Sequence, residues 1–152
     1  MILLALVMAG SVRAEVGDRM ELRKDIRASN AAEFKEKLLK IKDEKKRLIV
    51  EKLDSRFNEV NVKRTAKMTK HLDRMSSILD KVTGDVTSAR TAIQTARDAV
   101  VAQTEKIYVI TINTEANLKT DVGKVRSQLE ADLKAVNELV VAARKAVQAI
   151  LK

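Results

Sequence analysis

Residues 106–118 read KIYVITINTEANL, and the architecture turns on how they fold. Ile107, Val109, Ile110, Thr111 and Ile112 are branched at Cβ, which stiffens χ1 and favours extended backbone over helix. A strand needs a sheet, and no other segment of this chain resembles a second strand. The stretch therefore predicts an extended connector over residues 107–113 that crosses the end of a helical bundle. Asn113 or Thr114 is then placed to cap a closing helix over residues 115–151.

Downstream, Leu118, Val122, Val125, Leu129, Leu133, Val136, Val140, Ala143, Val147 and Ile150 recur mainly at steps of three and four residues, the mark of one apolar helix face. Upstream, a helix over residues 86–106 carries Ala89, Ala92, Ile93, Ala96, Ala99 and Val100, a face of mostly small side chains that lets a neighbouring backbone come close. Gly84 and Asp85 precede it: glycine can take the left-handed conformation that ends one helix, and aspartate can cap the next. Before that turn, residues 18–82 contain neither Gly nor Pro. Their seam runs through Leu22, Ile26, Phe34, Leu38, Ile41, Leu48, Leu53, Phe57, Val60, Met68, Leu72, Met75, Leu79 and Val82, predicting one long helix, nearly straight from Leu53 onward.

The expected fold class is all-α: an elongated antiparallel three-helix bundle or coiled coil with one long N-terminal helix and a short extended connector before the last helix. At about 1.5 Å per residue, the helices would span about 95, 30 and 55 Å. The two shorter ones can bury only the half of the first helix nearest the turn. Residues 18–47 are then left with Leu22, Ile26, Phe34, Leu38 and Ile41 facing water. An exposed apolar stripe marks an interaction surface, so this projecting seam is the expected docking site for a protein partner or for self-association.

The chain opens MILLALVMAGSVRAEV. Ile2 to Gly10 is apolar but shorter than the roughly 20 residues that span a bilayer. Val12 and Ala14 stand where a signal peptidase reads small residues, ahead of the polar Glu15. Residues 1–14 are expected to be a cleaved signal peptide, although no Lys or Arg precedes Arg13. Residues 15–152 are then a single helical domain exported to the periplasm, the cell surface or the extracellular space. The sequence has no Pro, Cys or Trp, and 34% charged against 45% hydrophobic residues, a helical-bundle composition. Stability then has to come from helix packing, since no disulfide can form. The formal net charge of +9, less Arg13 if the leader is removed, favours anionic partners without naming one.

Convergent chemistry is scarce. The single histidine, His71, lies among Lys67, Lys70 and Arg74 with no cysteine in the chain, so no proton-shuttling triad has members. Carboxylates stand mostly beside Lys or Arg, as in the i, i+4 pair Glu33 and Lys37 that supports a helix. There is no HExxH, glycine-rich phosphate loop or EF-hand pattern. These absences point away from an enzyme, a cofactor, a bound metal or a small-molecule substrate. A basic face is present: Lys63, Lys67, Lys70 and Arg74 line one side of a helix whose other side carries Met68, Leu72 and Met75. Such a face suits anionic lipid or an anionic envelope polymer. Specific nucleic-acid binding is not expected, because two Phe and one Tyr make no stacking platform.

Two stretches carry a resemblance. MTKHLDRMSSILDKV at residues 68–82, taken with KIYVITINTEANLKTDVGKVRSQLEADLKAVNELVVAARKAV at residues 106–147, resembles small exported all-helical bacterial proteins of unassigned activity. That group implies no catalytic residues to carry over. A looser similarity, in size, charge and helicity, is to the Skp-type periplasmic chaperones, whose strands lie near both chain ends rather than at the centre. The function expected is an exported, non-enzymatic helical interaction or scaffold protein docking through its projecting N-terminal helix. A periplasmic holdase-type chaperone, or a peripheral binder of anionic polymer or lipid, is the alternative.

Overall fold

The computed structural model describes residues 28–152. Among them there are helices and no strand: α1 over residues 28–38, α2 at Glu44–Leu79, α3 at Thr87–Glu105 and α4 at Leu118–Ile150, the last preceded by a 3-10 turn at Glu115–Asn117. Helices α2, α3 and α4 each pack against the other two, so the architecture is a helical bundle.

The single helix expected over residues 18–82 is broken. Residues 18–27 lie outside the described residues; within the described part, the chain leaves helical geometry between α1 and α2. The N–H groups of Lys40 and Ile41 donate to the carbonyls of Lys37 and Leu38 at 3.1 Å each, tightening the last turn of α1. Asp43 then opens α2, its carboxylate accepting the N–H of Lys46 at 3.2 Å, with Glu44 beside it at the positive end of the helix dipole. The break resets the helix phase. Val50 points inward, whereas Leu48, which continued periodicity would bury, is 47% exposed.

Because of the break, α1 folds back instead of projecting. Phe34, Leu38 and Ile41 pack with Val50 and Phe57 of α2, with Tyr108, Ile110 and Ile112, and with Leu118 and Leu129 of α4. Each large apolar side chain buried in this way contributes roughly 1.5–3 kcal/mol, enough to draw the seam inside. Glu115 fastens the fold-back, its carboxylate accepting the Lys42 N–H at 2.9 Å and the Lys46 ammonium at 3.1 Å. A second core occupies the other end: Met68, Leu72, Met75 and Leu79 meet Ala89, Ile93, Ala96 and Val100 of α3 and Val136, Val140, Ala143 and Val147 of α4. Ala89 and Ala96 have no exposed surface, so the small face of α3 serves close packing. Between α2 and α3, Gly84 takes φ +139°, a region L side chains rarely adopt, and the Asp85 carboxylate accepts the Thr87 N–H at 2.9 Å.

The connector does not cross the end of the bundle. It continues the line of α3 down the side of α2, as the hydrogen bonds Asn61 gives to the carbonyls of Gln103 and Lys106, the bond Asn58 gives to the Tyr108 carbonyl, and the bond Asp54 accepts from the Ile110 N–H show. Length explains this path. Helix α2 has 36 residues and spans about 54 Å, against about 28 Å for the 19 residues of α3. Residues 106–114, extended at about 3.3 Å each, add about 30 Å and complete the match. An extended chain covers the remaining half of α2 with half the residues a helix would need.

Candidate interaction surfaces

A strand without a sheet must satisfy its backbone groups elsewhere. Here helix side chains do so. The Asn58 side chain clasps Tyr108 from both directions, donating to its carbonyl at 2.7 Å and accepting its N–H at 2.9 Å. One turn earlier, the Asp54 carboxylate accepts the Ile110 N–H at 2.9 Å. The register is geometric: four helical residues rise about 6 Å and two extended residues about 6.6 Å, so successive turns of α2 meet alternate residues of the connector. The same alternation buries Tyr108, Ile110 and Ile112, leaves Ile107 and Val109 partly covered, and turns Thr111 outward.

A polar network closes the junction of α3 and the connector. Asn61 donates to the Gln103 carbonyl at 2.8 Å, Gln103 donates from Nε2 to Asn61 Oδ1 at 3.0 Å and to the Tyr108 hydroxyl at 2.7 Å, and that hydroxyl donates to Asp132 at 2.7 Å. Lys106 and Gln128 also meet Asp132, at 3.0 and 2.9 Å. Burial raises the Tyr108 phenol well above its ordinary value, and its bond to Asp132 adds to the rise, so it remains a protonated donor. Burial by itself would raise the Asp132 carboxyl; the bonds from Tyr108 and Lys106, together with the Lys106 charge, hold it below its ordinary value instead. Asp54 is pushed up by burial, with the Ile110 N–H working against the shift. This arrangement holds the connector in place. It presents no nucleophile beside a base and no open acid–base pair.

The sequence placed Asn113 or Thr114 as a cap for the last helix. Neither side chain caps it. Instead the buried Asp121 reaches back to accept the backbone and side-chain N–H groups of Asn113 at 3.1 and 2.9 Å, which lower its carboxyl below the usual range.

Of the seam assigned to docking, Leu22 and Ile26 lie outside the described residues. Phe34, Leu38 and Ile41 are 7%, 5% and 1% exposed, so the seam they form is interior, and no apolar stripe projects from α1 through them. The basic residues stay on the surface together. Lys63, Lys67, Lys70 and Arg74 are all exposed along α2, with Met68, Leu72 and Met75 buried on its other side. Lys63 pairs with Glu59 at 3.5 Å; among the described residues, Lys67, Lys70 and Arg74 have no carboxylate within ion-pair distance. His71 is exposed beside them. No group of three or more His, Cys, Asp or Glu able to hold a metal occurs among the described residues. Nor is any described helix long and apolar enough to cross a membrane.

Sequence reasoning missed Asp54, Asn58 and Asn61 as the residues that hold the connector. A signal was available: three short polar side chains at i, i+4 and i+7 interrupt the half of α2 that Leu53, Phe57 and Val60 make apolar. Polar groups on a buried helix face require a polar counterpart, and the β-branched stretch is the one segment whose backbone lacks its own. No family model matches the chain, and no curated protein or solved structure matches it.

Proposed function

We propose that this is an exported, non-enzymatic helical interaction protein of the cell envelope or extracellular space, which docks through the outward face of α2 onto an anionic partner such as lipid headgroups or an envelope polymer. The observation that carries this reading is the row Lys67, Lys70 and Arg74: exposed, on one helix face, and without carboxylate partners among the described residues. Cations left unpaired on a chain of net charge +9 concentrate a positive field that an anionic surface can neutralise. The same reading takes α2, α3 and α4 as an elongated antiparallel three-helix bundle. Its support is the opposed numbering of Asn61 with Gln103, Asp73 with Arg97 and Asp80 with Arg90. That scaffold keeps the row straight over about two helical turns.

Co-sedimentation with vesicles of anionic and of zwitterionic lipid, and with an anionic polymer, tests the proposal. The protein should bind the anionic surfaces, lose binding as salt rises, and lose it in the Lys67→Glu, Lys70→Glu, Arg74→Glu variant while helix content is unchanged. Equal binding by that variant would remove α2 as the docking face.

A further inference from the structure

The basic row of α2 does not begin at Lys63. Lys45, Lys52 and Arg56 are exposed on the same helix and continue the row toward its start. At about 100° of turn per residue, the cations from Lys45 to Arg74 fall within an arc of about 60°, opposite the buried Thr65 and Leu72. They span about 44 Å along the axis. Of the carboxylates in α2, Glu59 alone borders this arc, and it pairs with Lys63 at 3.5 Å. Asp73 lies on the flank toward α3, where it pairs with Arg97 at 2.7 Å. Among the described residues, the remaining cations of the row have no carboxylate within ion-pair distance. Like charges three or four residues apart on a helix repel, and Lys52 with Arg56, Lys63 with Lys67, Lys67 with Lys70 and Lys70 with Arg74 are all so placed. A face that only had to be solvated would be steadied by interleaving the two signs; this one is left for an outside anion to neutralise.

We propose that α2 binds a linear polyanion, a phosphate-bearing polymer strand laid along the helix axis so that successive anionic groups meet the cations from Lys45 to Arg74. The proposal rests on α2 being the docking face and names what docks there. A bilayer offers the same anions, but the face is built for a strand. A helix that lies on a membrane sinks an apolar face between the headgroups, and the apolar face of α2 is buried in the core at Phe57, Met68, Leu72 and Met75. Beside the row, large apolar side chains are exposed only at its ends, Leu48 and Ile49 before Lys52 and Ile78 after Arg74. Val62 turns instead toward the connector, beside Thr104 and Ile107. Arg64 adds one exposed cation on the other flank. The positive strip is therefore long and narrow. It holds no exposed aromatic ring on which a base could stack, so it reads the charge of a polymer backbone alone. Most of its cations are lysines, flexible point charges that adapt to the spacing of the anions.

Inorganic polyphosphate is the probe, in chains of about 10 Å, enough to reach from Lys67 to Arg74, and in chains longer than about 45 Å. The wild-type protein should bind the long chain far more tightly than the short one. Its log affinity should fall with log salt at a slope of about −5, from about 0.7 for each phosphate neutralised, as on a single-stranded nucleic acid. The Lys45→Gln, Lys52→Gln, Arg56→Gln variant keeps Lys67, Lys70 and Arg74. With helix content unchanged, it should bind the long chain about a hundredfold more weakly at about 0.1 M salt, with a slope shallower by about 2, and bind the short chain as the wild type does. Undiminished long-chain binding by that variant would overturn the proposal and leave α2 as the docking face. Tighter wild-type binding, per phosphate, to vesicles of anionic lipid than to the long chain would overturn it in favour of a membrane surface. A wild-type chain that binds none of these probes would remove the docking face as well.

Discussion

Asn58→Ala tests whether helix side chains stand in for a missing β-strand. The substitution removes two bonds to Tyr108, at 2.7 and 2.9 Å, and leaves a carbonyl and an N–H without their partners. A hydrogen bond contributes about 1 kcal/mol net, and an unpaired group shut away from water costs about 1–3 kcal/mol. Asn58 is half-buried, so water can reach part of the gap, and the expected loss is about 2–3 kcal/mol. Against a whole-domain stability of about 5–15 kcal/mol, that loss is large for one surface-facing amide. Urea unfolding gives the magnitude and amide exchange gives the location. Tyr108 should lose its protection, while Ile110, still held by Asp54, loses less. A destabilisation below about 0.5 kcal/mol, the size of an ordinary surface substitution, with Tyr108 exchange unchanged, would refute the claim that Asn58 clamps the connector.

Other expectations follow from the same geometry. Ile41→Ala opens a cavity in the core shared by α1, α2, the connector and α4, and should cost about 2–5 kcal/mol by denaturant unfolding; a near-neutral result would mean that α1 is not folded back. Asp54 has a folded pKa above its unfolded value, so its protonated form favours the fold, and that contribution is lost as pH rises through the raised value. Asp54→Asn keeps an acceptor for the Ile110 N–H and should match or exceed the wild-type midpoint at neutral pH, the gap closing on acidification; a clear loss at pH 7 would show that the charge itself is needed. Asp121 and Asp132 have depressed values, so their stabilisation is present above the unfolded carboxylate range and disappears as pH falls through their folded values. Melting curves should therefore show acid destabilisation that Asp121→Asn reduces. Mass spectrometry of the protein from its host should find Glu15 as the first residue if the leader is removed, and an intact Met1 in the mature pool would exclude export by that route.

What a reader could take from the chain alone was whatever local chemistry dictates. Recurring valine and leucine from Leu118 to Ile150 specify an apolar helix face, because neighbours three and four residues apart share a side regardless of the rest of the protein. Gly84 punctuates the chain because its φ of +139° suits glycine and few others. The β-branched run at 107–112 disfavours helix through its own rotamers. The break after α1 was half-visible, in an aspartate followed by a glutamate and in the seven-residue step of the seam from Ile41 to Leu48, but the absence of Gly and Pro from residues 18–82 argued for one helix. What tertiary structure decided were the pairings between residues distant in sequence: Glu115 with Lys42, Asp54 with Ile110, and Asn61 with Gln103. Those bonds send the connector along α2 instead of across the bundle end and turn Phe34, Leu38 and Ile41 from an outward seam into core. Periodicity reports which side of a helix is apolar; what covers that side is settled by the lengths and unpaired polar groups of elements elsewhere in the chain.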